Sequence, residues 1–543
     1  MTLFDINNPN LYIVIVLALI NTIFMCFVAH KFMHIIQICG YNIKQYMAWV
    51  KDTKAKWISR VAFLSLLSFI AMFVCNVIFR DYGYYKLITY IGLIFYFWFM
   101  LVFIVNMKNV PEKKKFVITR RVLRIYSLFF IIMAGLSFGL LVFSFDLNTI
   151  FKFSLIAITP ILIPILLPVC VLALLPLEKL IGKMYLKLAT KKLEKAEPII
   201  KIGITGSFGK TSTKSFLKKI LEKKYEVVCT PESYNTKMGI SKTINKYIKK
   251  NTQIFICEMG ADHVGDIKDI CDFVKPNIGV ITALGNQHLL TFGNFENIVK
   301  TKYELIESLP HTGVAFFNTN NENVKQMYEK SDFLNKYESN FDGDIKVKNV
   351  HINRAGIKFD LVYDDKIYNF KTQILGEQNL QNILLCINIA IYLKVDIDDI
   401  KDAVANLTPV NHRLELKQNE NGVTILDDSF NSNEAGTLYA LKTLALFKKN
   451  RKIVATPGLV ELGDKEEQAN YEFGKNIAEY ADICIIINKY NKESIKKGLL
   501  DNNFNKDNIY EVESLFLATE LFKTLLQPND VVLLENDLPD NYR

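Results

Sequence analysis

The stretch Ile204-Thr205-Gly206-Ser207-Phe208-Gly209-Lys210-Thr211-Ser212 holds the residue types that most directly suggest chemistry. Glycines let a backbone turn tightly and bring its amides against an anion. A lysine followed by a hydroxyl residue adds a point charge for outer phosphates and an oxygen for Mg²⁺. The strict phosphate-loop pattern needs a glycine five residues before Gly209, and Ile204 stands there, so that pattern fails. What remains is G-x-T-G-x-x-G-K-T, from Gly203 to Thr211. Such a loop works only between a strand and a helix. Residues 198–204 are rich in β-formers and residues 211–223 read as a helix, so the context is the required one. The bland alternative is a chance G-K-T that holds no nucleotide.

The elements around this loop divide the chain in two. Its 543 residues exceed one compact domain, and half are hydrophobic, with 38 Phe and 25 Tyr. The apolar residues concentrate in the first third. Segments 11–29, 61–79, 87–107, 125–145 and 153–177 each have the apolar length of a membrane-spanning helix, about 17–25 residues. The first is not a cleavable signal, because no basic run precedes it and further spans follow. Loop charge alternates. Lys31, Lys44, Lys51, Lys54, Lys56 and Arg60 follow the first span, and Lys108, Lys113, Lys114, Lys115, Arg120, Arg121 and Arg124 follow the third. The second and fourth loops are short and nearly neutral. Basic loops stay in the cytoplasm. The reading is an outside N-terminus, a five-span domain over 1–180, and cytoplasmic domains in the plasma membrane's lee, the stretch after the last span being basic too (Lys179, Lys183, Lys187, Lys191, Lys192).

The net charge of +10 therefore reports orientation and contact with anionic membrane lipid rather than nucleic acid. Pro160, Pro164, Pro168 and Pro176 in the fifth span require a kinked or broken helix whose freed carbonyls find other donors. It is either a packing helix or the wall of a head-group cavity. No span carries a charge near its centre, which argues against a transporter. The nine cysteines show no ligand or CxxC spacing and read as reduced, buried thiols.

Beyond the loop, further motifs follow. They are Pro231-Glu-Ser-Tyr-Asn-Thr-Lys-Met-Gly239, Ile256-Cys-Glu-Met-Gly260, Ile281-Thr-Ala-Leu-Gly-Asn-Gln-His288, Lys302 with Glu304, Gly376-Glu-Gln-Asn-Leu-Gln-Asn382, Arg413, Asp427-Asp-Ser-Phe-Asn-Ser-Asn433 and Val460-Glu-Leu-Gly463. With the loop, this series resembles the Mur ligase family over residues 198–543. It is most similar to the D-alanyl-D-alanine-adding branch, the MurF type. The resemblance implies a P-loop central α/β domain over 198–407 and a Rossmann-like C-terminal α/β domain over 408–543, the latter agreeing with β-rich runs at 423–426, 452–456, 483–487 and 531–534. It also implies an ATP-dependent, ADP-forming amide ligase of cell-wall peptide synthesis. ATP would phosphorylate a carboxylate, and an amine would attack the acyl phosphate.

By resemblance, Thr205, Gly206, Ser207, Phe208, Gly209, Lys210, Thr211 and Ser212 hold the phosphates of ATP. Thr211, Glu258, His288 and Lys302 hold Mg²⁺, Lys302 only if carbamylated. Asn379 and Asn382 contact adenine, Asp428 the ribose, and Arg413 the transferring phosphate after domain closure. Lys210, Glu258, His288, Lys302 and Arg413 form the catalytic set. Asn235, Asn431 and Asn433 contact substrate. Read without the family, His288 is a loop histidine, Lys302 a solvated lysine, and the two asparagines a helix-capping pair.

The chain departs from the pattern at three places. Gln378 stands where the family often has His, Pro457-Gly-Leu precedes Val460, and Leu534-Glu-Asn-Asp replaces a basic K-G-S. The last two leave the amine donor open between D-Ala-D-Ala and another amino acid or dipeptide. The family's UDP-binding domain has no room before the loop, so the acceptor is either a soluble muropeptide or a lipid-linked one. A non-catalytic, membrane-anchored ATP-binding scaffold is the rival class.

Overall fold

The structure, a computed structural model, describes residues 9–52, 56–78, 85–107, 115–146, 154–287, 289–343, 345–430, 432–487 and 490–537. His288 and Asn431 lie outside the described residues. The chain divides into two units, Met1–Gly182 and Lys183–Arg543.

Long apolar runs without polar interruption favour helices, which satisfy every backbone group internally. Six are described here: α1 (Pro9–Ile38), α2 (Ile43–Asp52), α3 (Lys56–Ile78), α4 (Tyr85–Met107), α5 (Arg120–Asp146) and α6 (Thr159–Lys195). Among the described residues, Leu11–Ile38, Arg120–Phe143 and Ser154–Lys195 are long and apolar enough to cross a membrane. The second and third expected spans are helical, with shorter apolar stretches at Ala62–Val74 and Ile91–Val102. The basic loop after the first expected span contains α2, and the basic stretch after the fifth continues α6 as helix.

The interior of the first unit packs Met25, Phe32, Tyr96 and Phe129 out of solvent, yet its outer faces are apolar too: Ile94, Ile131 and Ile165 are 67%, 66% and 66% exposed. Several of its buried polar groups answer one another. Asn21 Nδ2 donates to Ser137 Oγ and Thr159 Oγ1, and Tyr96 Oη donates to Asn21 Oδ1. The prolines of α6 are compensated in the same way. Pro168 lacks the N–H that Pro164 O would accept, and Tyr46 Oη donates there instead, at 3.2 Å. Pro160 likewise frees Ile156 O, which accepts from the Thr159 hydroxyl at 2.8 Å and from Tyr96 Oη at 3.4 Å.

The second unit opens as an alternating α/β chain. In order come β1 (Ile200–Thr205), α7 (Lys210–Leu221), β2 (Val227–Cys229), α8 (Lys237–Tyr247), β3 (Ile254–Glu258), α9 (Asp266–Val274), β4 (Ile278–Ile281), α10 (Leu289–Phe292), α11 (Phe295–Glu307), β5 (Val314–Asn318), α12 (Glu322–Lys330) and β6 (Lys336–Ser339). The strands pair in parallel in the order β2-β3-β1-β4-β5-β6. β3, β4 and β5 are buried at every residue, as strands covered on both faces must be.

An antiparallel sheet of β7 (Lys346–Asn353), β8 (Gly356–Tyr363) and β9 (Lys366–Thr372) follows, then α13 (Glu377–Tyr392) and α14 (Ile397–Ala405). The last part contains β10 (Glu415–Gln418), β11 (Thr424–Asp428), α15 (Glu434–Leu444), β12 (Lys452–Thr456), α16 (Glu466–Tyr480), β13 (Ile483–Ile487), α17 (Lys492–Asp501), β14 (Ile509–Val512), α18 (Leu515–Leu525) and β15 (Val531–Glu535). Its strands lie in the order β10-β11-β15-β12-β13-β14, all parallel except β10. The four β-rich runs expected here correspond to β11, β12, β13 and β15. β10 and β14 are short edge strands with polar residues, which explains why their apolar signal is faint.

Candidate active site

Parallel α/β sheets present their ligand-binding loops at the carboxyl ends of the strands. The ends of β1, β3 and β4 carry Thr205, Glu258 and Ile281; those of β11 and β15 carry Asp428 and Glu535. The loop between β1 and α7 needs its glycines. Gly206 has φ 149° and Gly209 has φ 82°, in the region that L-residues avoid. Gly206 also has no room for a side chain, since a Cβ there would sit 2.1 Å from Thr282 Oγ1. The loop after β4 clamps this turn. Thr282 Oγ1 donates to Phe208 O, while Ser207 Oγ donates to Gly285 O and accepts from Gly285 N. Thr205 is fully buried and its hydroxyl donates to Met259 O, so it fastens β1 to the end of β3.

Residues on the loop face two cavities. Lys210 lines a cavity of about 240 Å³ together with Gly206, Asn235, Asp262, Asp266 and Lys302. Lys210 Nζ folds over the loop and donates to Gly206 O at 2.7 Å and Ser207 O at 2.9 Å. Desolvation pushes its ammonium down to about 8, against the pull of Glu258. Lys302, on α11, is 4% exposed and makes no hydrogen bond or ion pair among the described residues. Desolvation, reinforced by the charge of Lys210, lowers it to about 7. Glu304 points elsewhere: its carboxylate accepts from Gly265 N and Lys268 N and so caps α9. Gln287 reaches the same cavity.

Glu258 lies almost wholly buried beside this cavity. Its Oε2 accepts from Lys214 Nζ at 2.8 Å, and its Oε1 has a long 3.5 Å contact from Asn235 Nδ2. Lys214, one helical turn beyond Lys210, also donates to Glu232 O. It thereby ties the loop helix, the end of β3 and the Asn235 turn together. The sequence reading missed Lys214; its spacing from Lys210 was the available signal. Oε1 of Glu258 is a charged oxygen of the kind a hard cation seeks.

The second cavity, of about 40 Å³, is lined by Thr211, Ser212, Asn379, Asn382, Arg413 and Asp428, with Phe208, Gly209, Gln378, Ser432 and Asn433 at its walls. Asn379 Nδ2 donates to Leu375 O, and Asn382 lies so close to Gly209 that a Cβ there would meet its Oδ1 at 2.8 Å. Asn433 caps α15 by accepting from Gly436 N.

The two aspartates at the end of β11 fix Arg413. His412 and Leu414, on either side of it, have φ 60° and 49°. Asp427 Oδ2 lies 2.8 Å from His412 Nδ1, and Asp428 Oδ1 accepts from Leu414 N at 3.1 Å. The guanidinium donates to Phe430 O at 2.7 Å and stacks 4.4 Å over the Phe430 ring. Desolvation raises Asp428 to about 6, against the charge of Arg413. Asn286 Nδ2 donates to Glu434 Oε2 at 3.0 Å, joining the loop after β4 to the start of α15. Lys210, Lys302 and Asn235 thus share one cavity, while Thr211, Ser212, Asn379, Asn382, Arg413, Asp428 and Asn433 share the other.

The Mur ligase middle domain family matches residues 204–390, and the family described as Mur ligase, glutamate ligase domain matches residues 412–535. The UDP-N-acetylmuramoyl-tripeptide--D-alanyl-D-alanine ligase of Mycobacterium tuberculosis is 31% identical over 247 residues, 45% of this chain and 48% of that protein. The ligase of the same name from Bacillus subtilis is 28% identical over 278 residues, 51% of this chain and 60% of that protein. The chain spans about half the length of the first of these curated relatives. Among solved structures, MurF from Acinetobacter baumannii superposes with a TM-score of 0.59 at 22% identity, over 66% of this chain and 78% of that one. MurF from Thermotoga maritima in complex with ADP gives 0.58 at 24% identity, over 66% and 80%. These likenesses show a shared fold.

Proposed function

From a chain that carries the middle and C-terminal domains of the Mur ligases, we propose an ATP-dependent, ADP-forming ligase that joins a muropeptide carboxylate to an amine. The domains are 1–180, 198–407 and 408–543, with the first in the plasma membrane and the others cytoplasmic. One observation carries the reading. Arg413, from beyond the linker, lines the same cavity as Gly209 and Thr211 of the glycine loop. A cation brought over a phosphate cradle is what phosphoryl transfer to a carboxylate demands, because charge gathers on the phosphoryl oxygens.

In this reading Gly206–Ser212 cradles the triphosphate, with Lys210 leaving the loop carbonyls for the outer phosphates. Asn379 and Asn382 border the base, and Asp428 the ribose. The acceptor carboxylate enters the cavity of Lys302 and Asn235, takes the terminal phosphoryl group and releases ADP. The amine then attacks the acyl carbon, phosphate leaves, and the amine loses a proton. His288, Asn431 and Asn433 keep the metal and substrate roles that the family motifs suggest. Thr211 and the Oε1 of Glu258 would hold Mg²⁺, which when bound neutralises phosphoryl charge. With its ammonium lowered to about 7, Lys302 has an appreciable neutral fraction at physiological pH, the form that adds CO₂ to give a carbamate anion.

The outward apolar faces of the first unit support a membrane setting, because a monomer in water rarely leaves such faces uncovered. A bilayer-held unit beside a ligase favours a lipid-linked acceptor. The amine remains open between D-Ala-D-Ala and another amino acid or dipeptide, since acidic Glu535 and Asp537 occupy the strand end where the family has a basic motif. The test is phosphate release by the full chain in lipid, screened over amines with UDP-linked and undecaprenyl-linked acceptors. Release that requires both an amine and a lipid-linked acceptor is expected. Hydrolysis indifferent to every amine overturns the ligase, and turnover of the UDP-linked acceptor alone overturns the lipid-linked part.

A further inference from the structure

Behind the nucleotide cavity lies a carboxyl group that none of the assigned roles uses. Glu535, the last residue of β15, is fully buried. It is the register partner of Asp428 across the parallel β11–β15 pair. Register partners in a parallel pair project to the same face of the sheet, so two carboxyl groups stand side by side at about 4.8 Å strand spacing. Ser432 Oγ donates to Glu535 Oε1, and Ser432 lines the cavity. Asn536, the next residue, accepts from Ser432 N and donates to Gly458 O. The other oxygen, Glu535 Oε2, is buried with no hydrogen-bond partner among the described residues.

The charges around this pair do not balance if both carboxyls ionise. Among the described residues, Arg413 is the one cation that acts on both. Asp427 adds a further negative charge beside Asp428. On the other side β15 meets β12, whose end carries Ala455 and Thr456, neither of them titratable. One guanidinium offsets one carboxylate. A second buried carboxylate with an unpartnered oxygen would bear the full desolvation cost of a charge, whereas a carboxylic acid still accepts from Ser432 on one oxygen and leaves only a neutral hydroxyl on the other, a much smaller cost. Desolvation, then repulsion from Asp428, drives Glu535 well above the usual carboxylate range.

We propose that Glu535 is a positioning residue of the nucleotide cavity that acts as a neutral carboxylic acid. It holds the Ser432 turn beneath the cavity while adding no negative charge opposite the phosphates. This rests on the nucleotide reading above. Ionised Glu535 would repel the nucleotide and compete with it for Arg413.

The test uses the full chain in detergent, Mg²⁺ with ADP as the probe, and binding measured from mildly acidic to alkaline pH. Wild-type affinity should weaken roughly tenfold as Glu535 ionises, the size of one added charge at about 10 Å with an effective dielectric constant of about 20. Glu535→Gln keeps the shape and the acceptor for Ser432 without ionising. It should match the wild type at low pH and hold that affinity at high pH. Infrared difference spectra should show a protonated-acid carbonyl band in the wild type at neutral pH that Glu535→Gln lacks. An identical pH profile in both proteins, or weaker binding by Glu535→Gln at every pH, overturns the proposal. A missing acid band with intact ADP binding overturns it alone. A wild-type chain that binds no ADP at any pH overturns the nucleotide reading and this role with it.

Discussion

The two sides of the glycine loop handle buried charge in opposite chemical currencies but by one rule. On the side of Glu258 and Lys302, two lysines are buried. Lys214 has a carboxylate at 2.8 Å, whereas Lys302 has no such partner among the described residues and is driven down to about 7. On the side of Arg413 and Asp428, two carboxyls, Asp427 and Glu535, are buried. Asp427 is desolvated, yet hydrogen bonds from Lys417, Ser429 and His412 hold it below the usual range. Among the described residues Glu535 receives only the Ser432 hydroxyl, and it is driven up. Burial penalises the charged form of either sign, and a specific partner decides whether that penalty is met. The difference teaches which groups are poised for proton chemistry and which are framework.

Breaking the best-paired lysine should have the largest effect. Lys214→Met leaves Glu258 as an unpaired buried carboxylate and should cost about 3–5 kcal/mol of stability in denaturant unfolding. Glu258→Gln in the same chain should recover much of that loss, because no isolated charge remains. A double variant no more stable than Lys214→Met would show that the lysine acts through packing instead. Lys210 contrasts with it, since its partners are loop carbonyls. Lys210→Ala should leave the melting temperature nearly unchanged and lower amine-dependent turnover by about 10²–10³-fold, or roughly 3–4 kcal/mol. Equal turnover in both proteins would remove Lys210 from the phosphoryl-transfer step.

Lys302 sharpens the comparison through pH. Its folded value of about 7 lies below the ordinary 10.5. Between those values the unfolded chain holds a proton that the folded chain has released, so stability rises with pH across that window. Below about pH 7 the ammonium is charged in both states, and the full burial penalty opposes folding. Lys302→Met keeps the volume and removes that penalty. In CO₂-free buffer it should be more stable than the wild type below neutrality by up to about 5 kcal/mol, with the advantage fading as pH approaches the ordinary lysine value. A difference independent of pH would mean that Lys302 is solvated or paired.

How much of this is legible in the sequence depends on distance along the chain. The loop, its flanking strand and helix, and the α/β alternation arise from local residue choice, and β1, α7, β11, β12, β13 and β15 lie within a residue or two of where periodicity puts them. The site residues could be named from motif order, but their division between two cavities could not. Thr205 reads as part of the cradle, and its hydroxyl also fastens β1 to Met259 at the end of β3, a contact the motif does not show. Glu304 looks like a companion of Lys302, yet successive helical positions diverge and it caps α9. Lys214 and Glu535 belong to none of the motifs in the series, and their meaning comes from partners 44 and 103 residues away, at Glu258 and Ser432. The antiparallel sheet of β7 to β9 was likewise unread. Two of its strands are mostly exposed and mix charged with apolar residues, leaving the alternation weak.

The smallest expected effect tests whether the two cavities must be held together. Asn286 follows the turn that clamps the glycine loop, and Glu434 opens α15, so their 3.0 Å hydrogen bond links the loop after β4 to the helix behind Arg413. The pair is exposed, and a charge-assisted hydrogen bond in water contributes little, about 0.5–1 kcal/mol. Asn286→Ala should therefore leave unfolding nearly unchanged. If Arg413 reaches the phosphoryl group only when the two parts close, the same small energy should appear in turnover, as a two- to fivefold fall in kcat with ADP affinity retained. Glu434→Gln keeps a hydrogen-bond acceptor and should lose less than Asn286→Ala. A lower ADP affinity with unchanged kcat would place the contact in binding rather than closure. No change in either would mean that the two cavities stay aligned through Arg413 and the paired aspartates without it.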